Sequence, residues 1–125
     1  MMFDTDVLIW ALRGNPKAAR VIDDATDRAL SMVSLMELLQ GARSKQEVKQ
    51  IQQSLRALRF RILPLSEAIG AAATELIERY ALAHGMQVAD ALIAATAMQA
   101  GLPLCTGNAK YFRPVSGHLR QAFRP

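Results

Sequence analysis

Four carboxylates in this sequence carry more chemical meaning together than apart. Asp4 and Asp6 follow a short apolar run, Glu37 follows a second one, and Asp90 stands among Val88, Ala89, Ala91, Leu92 and Ile93. Each has an ordinary explanation. Asp6 is best read as the cap of a helix beginning at Val7. Glu37 serves equally well as the return arm of a capping box in Ser34-Leu-Met-Glu37. A helix N-terminus would also suit Asp90. Yet an isolated carboxylate buried among those apolar neighbours would cost several kcal/mol or stay protonated, so capping is the weaker reading there.

Convergence sharpens the point. Two carboxylates about 4 Å apart repel by roughly 4 kcal/mol at an effective dielectric near 20, so three that meet need a compensating charge. A divalent cation supplies it, and Mg²⁺ or Mn²⁺ suits carboxylate oxygens plus retained waters. Softer sites are ruled out by composition. The one cysteine, Cys105, sits in an apolar run as a core residue, and His84 and His118 lack ligand-like spacing. Carboxylate-held metal beside a basic surface is the chemistry of phosphodiester cleavage, in which the metal activates a water and stabilises charge on phosphate.

The acids must be positioned by something, and the patterning predicts what. Short apolar runs alternate with helical periods, which argues for one α/β domain over residues 1–125, with a mostly parallel sheet of four or five strands flanked by helices. Strands are expected at 1–4, 29–33, 61–65 and 102–106; a fifth, edge strand, if the sheet has one, falls near Val115. Asn15-Pro16 reads as an N-cap with proline in the first turn, opening a helix to Asp24. Ser34 is expected to start a helix to Gly41. Val48, Ile51, Leu55 and Leu58 form an amphipathic stripe over 45–58, and Ile69, Ala72, Ala73, Leu76, Ile77 and Tyr80 another on a helix from Ser66 to Gly85. The helix at 88–100 is apolar nearly all round and should be buried. In such a sheet ligands bind beyond the carboxyl ends of the strands, where Asp4, Asp6, Glu37 and Asp90 fall.

Composition sets the remaining bounds. A 125-residue chain buries about two-thirds of its unfolded surface. Its 51% hydrophobic content and mean hydropathy of +0.10 suggest apolar surface reserved for another chain, with the stripes at 48–58 and 69–80 as the candidate homodimer faces. Asp4 and Asp6 interrupt any secretory signal. The segment 86–105 is broken by Gly101 and Pro103, short of the roughly 20 apolar residues a membrane span needs. A cytosolic protein without membrane contact is expected. The net charge is +4. No acid follows Asp90, whereas Lys110, Arg113, Arg120 and Arg124 do, and a second basic group runs through Arg43, Lys45, Lys49, Arg56, Arg59 and Arg61. Two solvated faces and a polyanion-binding surface explain this charge equally well.

Four segments then resemble one family. Met2-Phe-Asp4-Thr-Asp6-Val-Leu-Ile9, Ser34-Leu-Met-Glu37-Leu-Leu-Gln-Gly41, Val88-Ala-Asp90-Ala-Leu-Ile-Ala-Ala95 and Leu104-Cys-Thr106-Gly-Asn108-Ala-Lys-Tyr-Phe112 are similar, in order, to the four motifs of PIN domains. The resemblance implies a Mg²⁺- or Mn²⁺-dependent endoribonuclease with Asp4, Glu37 and Asp90 as the metal-binding acids. Short PIN proteins of this length resemble VapC toxins, which form homodimers, cut RNA and are inhibited by a VapB-type antitoxin. Many members carry an acid at the place of Asn108 or Tyr111, and this chain has neither. That leaves Thr106 and Asn108 to orient water or phosphate, and leaves one metal ion or two open. Two rivals stand. Asp4-Thr-Asp6-Val resembles the D-x-D nucleophile motif of haloacid-dehalogenase-type phosphatases, though a helix begins at once and no second acid accompanies Asp90. A PIN domain without catalysis, binding only RNA or protein, is the other. A receiver domain fails, because Leu63-Pro-Leu offers no phosphoacceptor aspartate.

Overall fold

A computed structural model describes residues 1–110, 112 and 120–125. The chain runs through β1 (Met2–Phe3), α1 (Thr5–Leu12), α2 (Pro16–Asp24), β2 (Ala29–Ser31), α3 (Met32–Gln40), α4 (Lys45–Ala57), β3 (Arg61–Leu63), α5 (Glu67–His84), α6 (Val88–Ala100), β4 (Leu104–Thr106) and β5 (Arg120–Ala122). The strands form one sheet in the order β3-β2-β1-β4-β5, and every neighbouring pair is parallel. The α/β expectation of four or five strands therefore holds, with five among the described residues. The fifth is Arg120–Ala122; the position near Val115 lies outside the described residues.

The strands are only two or three residues long, so each contributes alternate side chains to two helical layers. Met2, Ala29 and Leu104 face the layer built from α5 and α6. Phe3, Leu30 and Cys105 face the layer of α1, α2 and α4. Helix α3 serves both, with Val33 in the first core and Leu38 in the second. The buried helix at 88–100 is as expected: Ala91, Ile93, Ala94, Ala95 and Ala97 are all nearly inaccessible.

Several boundaries differ from the sequence expectation, each for a local reason. Helix α1 begins at Thr5 rather than Val7, because the Asp4 carboxylate, not Asp6, caps it by accepting the Thr5 N–H. Strand β2 stops at Ser31, whose hydroxyl accepts the Val33 N–H at 3.0 Å and starts α3. Ser34 is thus inside the helix, and Glu37 lies in its second turn; the expected Ser34–Glu37 capping box does not form. Strand β3 ends at Leu63 before Pro64, and β4 starts at Leu104 after Pro103. The stripes assigned to a homodimer face are also accounted for. Leu55, Ile69, Ala73 and Leu76 are buried in this chain's own cores, with Ile51, Leu58, Ile77 and Tyr80 packed against them. The exposed apolar side chains lie elsewhere: Leu82 is fully open and Val88 is 66% exposed, on either side of the α5–α6 turn. That turn is sharp because Gly85, at φ 68, ends α5 in the left-handed region. Among the described residues no helix is long and apolar enough to cross a membrane.

Candidate active site

The carboxyl ends of β1, β2 and β4 meet at one edge of the sheet, and a polar cluster fills it. Asp4 follows β1 directly and is 5% exposed. One carboxylate oxygen accepts the Thr5 N–H at 2.8 Å and the other accepts the Thr106 hydroxyl at 2.7 Å. Burial, followed by the charge of Asp6, pushes the Asp4 carboxyl up to about 7; the bonds from Thr106 and Thr5 oppose this, and Asp90 adds to it. Asp6 is also raised, chiefly by burial. Its oxygens accept the Val7 N–H at 2.7 Å and the Gly107 N–H at 2.9 Å, tying the first turn of α1 to the loop after β4.

Glu37 arrives from α3. Its Oε1 accepts the Thr5 hydroxyl at 2.7 Å, and the same hydroxyl lies 2.9 Å from the Oγ of buried Ser34. A carboxylate can only accept, so the single Thr5 proton points at Glu37 and the Ser34 contact uses a Thr5 lone pair. Asp90 arrives from α6, where it does accept the Gln87 N–H at 3.1 Å as a helix-start acid. The capping reading discounted from sequence is therefore real. The residue is also half-buried rather than isolated in an apolar shell. Its pKa is raised, first by burial and also by the charge of Glu37, against the Gln87 bond.

Thr106 is fully buried and Asn108 is exposed; the Asn108 N–H donates to the Thr106 hydroxyl at 3.0 Å. Asp4, Glu37, Asp90 and Thr106 thus share one edge of the sheet, while Asn108 reaches it through its backbone. Sequence reasoning missed Thr5, Ser34 and Gly107. Thr5 and Ser34 carried a usable signal: Ser34 and Glu37 share a face of α3 at i,i+3 spacing. Gly107 carried none, since its role depends on contact with Asp6, 101 positions earlier. Cys105, below the acids, has its thiol pushed up to about 12 by burial and by Asp6 and Asp4, which leaves it inert.

Among the described residues no three Asp, Glu, His or Cys side chains already form a cage around one ion. The donor chemistry nevertheless fits a hard cation. All the candidate groups are oxygen donors, and Mg²⁺ commonly uses one or two carboxylates and keeps its waters. A carboxyl held near neutrality by burial and by a neighbouring acid is a place where a cation relieves both penalties.

Next to Glu37 opens a groove of ≈670 Å³ between α1, α3 and α4, floored by Ile9, Leu12, Leu38 and Ile51 and rimmed by Arg13 and Arg43. Arg43 pairs with Glu47 at 3.1 Å, and Arg61 pairs with Asp27 at 2.7 Å. Two of the six cations in the earlier basic group are therefore already partnered, and that group is not one uniform patch.

Residues 1–116 match the family model of the PIN domain. Over 127 aligned residues the chain is 35% identical to ribonuclease VapC10 of Mycobacterium tuberculosis, covering 98% of this chain and 92% of that protein. Solved structures similar to it include a toxin–antitoxin complex from Klebsiella pneumoniae, at TM-score 0.79 and 27% identity over 93% of this chain and 92% of that one. FitAcB from Neisseria gonorrhoeae is similar at TM-score 0.70 and 28% identity, over 92% and 93%. Asp4, Glu37, Asp90 and Thr106 gather at the carboxyl edge of a five-stranded parallel sheet, on a chain matched along nearly its full length: it belongs to the PIN-domain family and, within it, to the VapC type.

Proposed function

We propose that the protein is a Mg²⁺- or Mn²⁺-dependent endoribonuclease acting as the toxin of a toxin–antitoxin pair. The observation that carries this is the Asp4 carboxyl, buried at the sheet edge and sharing its field with Asp6 and Asp90. In this reading Asp4, Asp90 and Glu37 hold the metal, directly or through its waters. When bound, that metal supplies a nucleophilic water near neutral pH and neutralises charge on the scissile phosphate. Thr106 keeps Asp4 in its acceptor orientation, Thr5 does the same for Glu37, and Asn108 orients water or phosphate at the exposed rim. Arg13 on the adjacent groove attracts the RNA backbone.

Asp6 has both oxygens engaged with backbone N–H groups. That suits an anchor rather than the mobile proton shuttle a D-x-D phosphatase needs. A binding-only PIN domain draws its support from Asn108 and Tyr111, which stand where many members of the family carry an acid. One experiment separates all three readings: cleavage of RNA and of a phosphate monoester by the purified protein with Mn²⁺, with EDTA, and with Asp4→Asn and Asp90→Asn. We expect RNA cleavage that EDTA and either substitution abolish. Phosphatase activity supports the first rival, and RNA binding without cleavage supports the second.

The partners follow from the same reading. A VapB-like antitoxin is expected to inhibit the enzyme, with an apolar segment suited to the groove beside Glu37. A homodimer is expected through the open Leu82 and Val88 region. Light scattering at micromolar concentration should give twice the monomer mass, and Leu82→Ser should reduce it.

A further inference from the structure

We infer that Gly107 is a positioning residue: having no side chain, it lets Asp6 pin the loop after β4, and that pin fixes the Thr106 hydroxyl on Asp4. The inference rests on the ribonuclease reading for its activity arm and on geometry alone for its stability arm.

The contact is unusually close. A Cβ built on Gly107 would stand 2.7 Å from Asp6 Oδ2 and 3.5 Å from the Phe123 carbonyl oxygen. Real Cβ atoms do not approach an oxygen that closely, so a side chain at 107 must displace the carboxylate or the loop. Asp6 is poorly placed to yield. Its Oδ1 is held by the Val7 N–H at 2.7 Å, and its Oδ2 is the acceptor for Gly107 itself. On the other side, the carbonyl of Phe123 bounds the space. Glycine is required here for close approach rather than for an unusual φ.

The next peptide carries the effect to the metal-binding acids. The Asn108 N–H donates to Thr106 Oγ1 at 3.0 Å, occupying a lone pair of that hydroxyl. A hydroxyl has one proton, and here it goes to Asp4 Oδ2 at 2.7 Å. Consecutive N–H groups of one turn therefore report to Asp6 and to Thr106. Moving residue 107 moves residue 108, and the proton that orients Asp4 loses its fixed direction. Neither Asp6 nor Gly107 need touch the RNA for this to matter.

The test is a double-mutant cycle on Gly107→Ala, Asp6→Ala and the pair, read by steady-state cleavage in Mn²⁺ and by Tm in metal-free buffer. Gly107→Ala should lower kcat by about 10- to 100-fold, the scale of an ångström-sized misplacement, with KM nearly unchanged. The double variant should cleave no worse than Asp6→Ala alone, because removing the carboxylate removes the clash. Tm should show the same non-additivity. If Gly107→Ala does not fold, the double variant still decides, since it must fold as well as Asp6→Ala. Wild-type kcat in Gly107→Ala, or losses that simply multiply in the pair, overturn the inference. A loss confined to KM or to Tm assigns Gly107 a binding or purely structural role and overturns it too. If the parent cuts no RNA, the ribonuclease reading fails by itself, and the Tm cycle decides the Gly107–Asp6 pin: non-additive losses support it and additive losses overturn it.

Discussion

The carboxyl edge of the sheet and the helical layer on one of its faces are built on opposite principles. At the carboxyl edge of β1, β2 and β4, buried side chains are polar: Asp4, Thr5, Ser31, Ser34 and Thr106 make up five of the six buried polar residues among those described. The α5–α6 layer is an alanine- and leucine-rich core, where the one buried polar group, Thr96, turns its hydroxyl back onto the Leu92 carbonyl. Apolar burial stabilises without direction, whereas a buried carboxylate demands partners and shifts its pKa. One region holds the fold together, and the other is where the fold carries an unfavourable charge arrangement.

Substitutions should separate the two regions cleanly. Asp90→Asn keeps an oxygen for the Gln87 N–H but loses a charge, so RNA cleavage should fall by more than about 100-fold, beyond what supporting groups around a metal usually give. The Tm should move little. A comparable loss of Tm would erase the distinction between the two regions. Ile93→Ala is the converse. With Ile93 2% exposed in the α5–α6 core, stability should fall by about 2–5 kcal/mol, while kcat of the folded fraction, measured well below Tm, stays at the parent value.

Acidity offers a third contrast. The folded Asp4 carboxyl stands at about 7 against an ordinary 3.8, so between those values the folded state binds more protons than the unfolded one. Stability of the metal-free protein should therefore decline as pH rises from about 4 to 7, by on the order of a few kcal/mol. The raised Asp6 and Asp90 act in the same direction. Asp4→Asn should flatten the decline in denaturant titrations across pH, and Ile93→Ala should leave its slope unchanged. Saturating Mn²⁺ should oppose it as well, raising stability by about 2.7 kcal/mol at a hundredfold excess over Kd. If neither Mn²⁺ nor EDTA moves Tm, the edge does not bind metal. The smallest effect belongs to a position outside both regions. Arg59 adopts φ 57 after α4, and Arg59→Gly should raise stability by about 1 kcal/mol.

What could be read from the sequence follows the same division. Helices α2 and α5 announced themselves through Asn15-Pro16, Ser66 and Gly85, all local signals, and the apolar helix at 88–100 was legible as buried. The acids were legible because carboxylates after apolar runs are rare without cause. What escaped was set by neighbours in space. Ser31 and Ser34 both look like helix starts, and only the register of β2 beside β3 decides between them. The apolar stripes of α4 and α5 looked surplus because the sheet that consumes them is non-local. Asp6 looked like a cap until Gly107 came within reach.

The centre of the sheet also sets an order in time. Strand β1 pairs with β4, and the bond from Thr106 to Asp4 spans 102 residues of chain. Such non-local parallel pairing forms late, after the loop-closure entropy has been met. A growing chain displays Asp4 and Asp6 to water well before β4 is made, so their burial, and the weakened acidity that burial brings, must wait for that strand. During synthesis the polypeptide carries these acids long before it carries the pocket that buries them, so the arrangement at the sheet edge is withheld until β4 is in place.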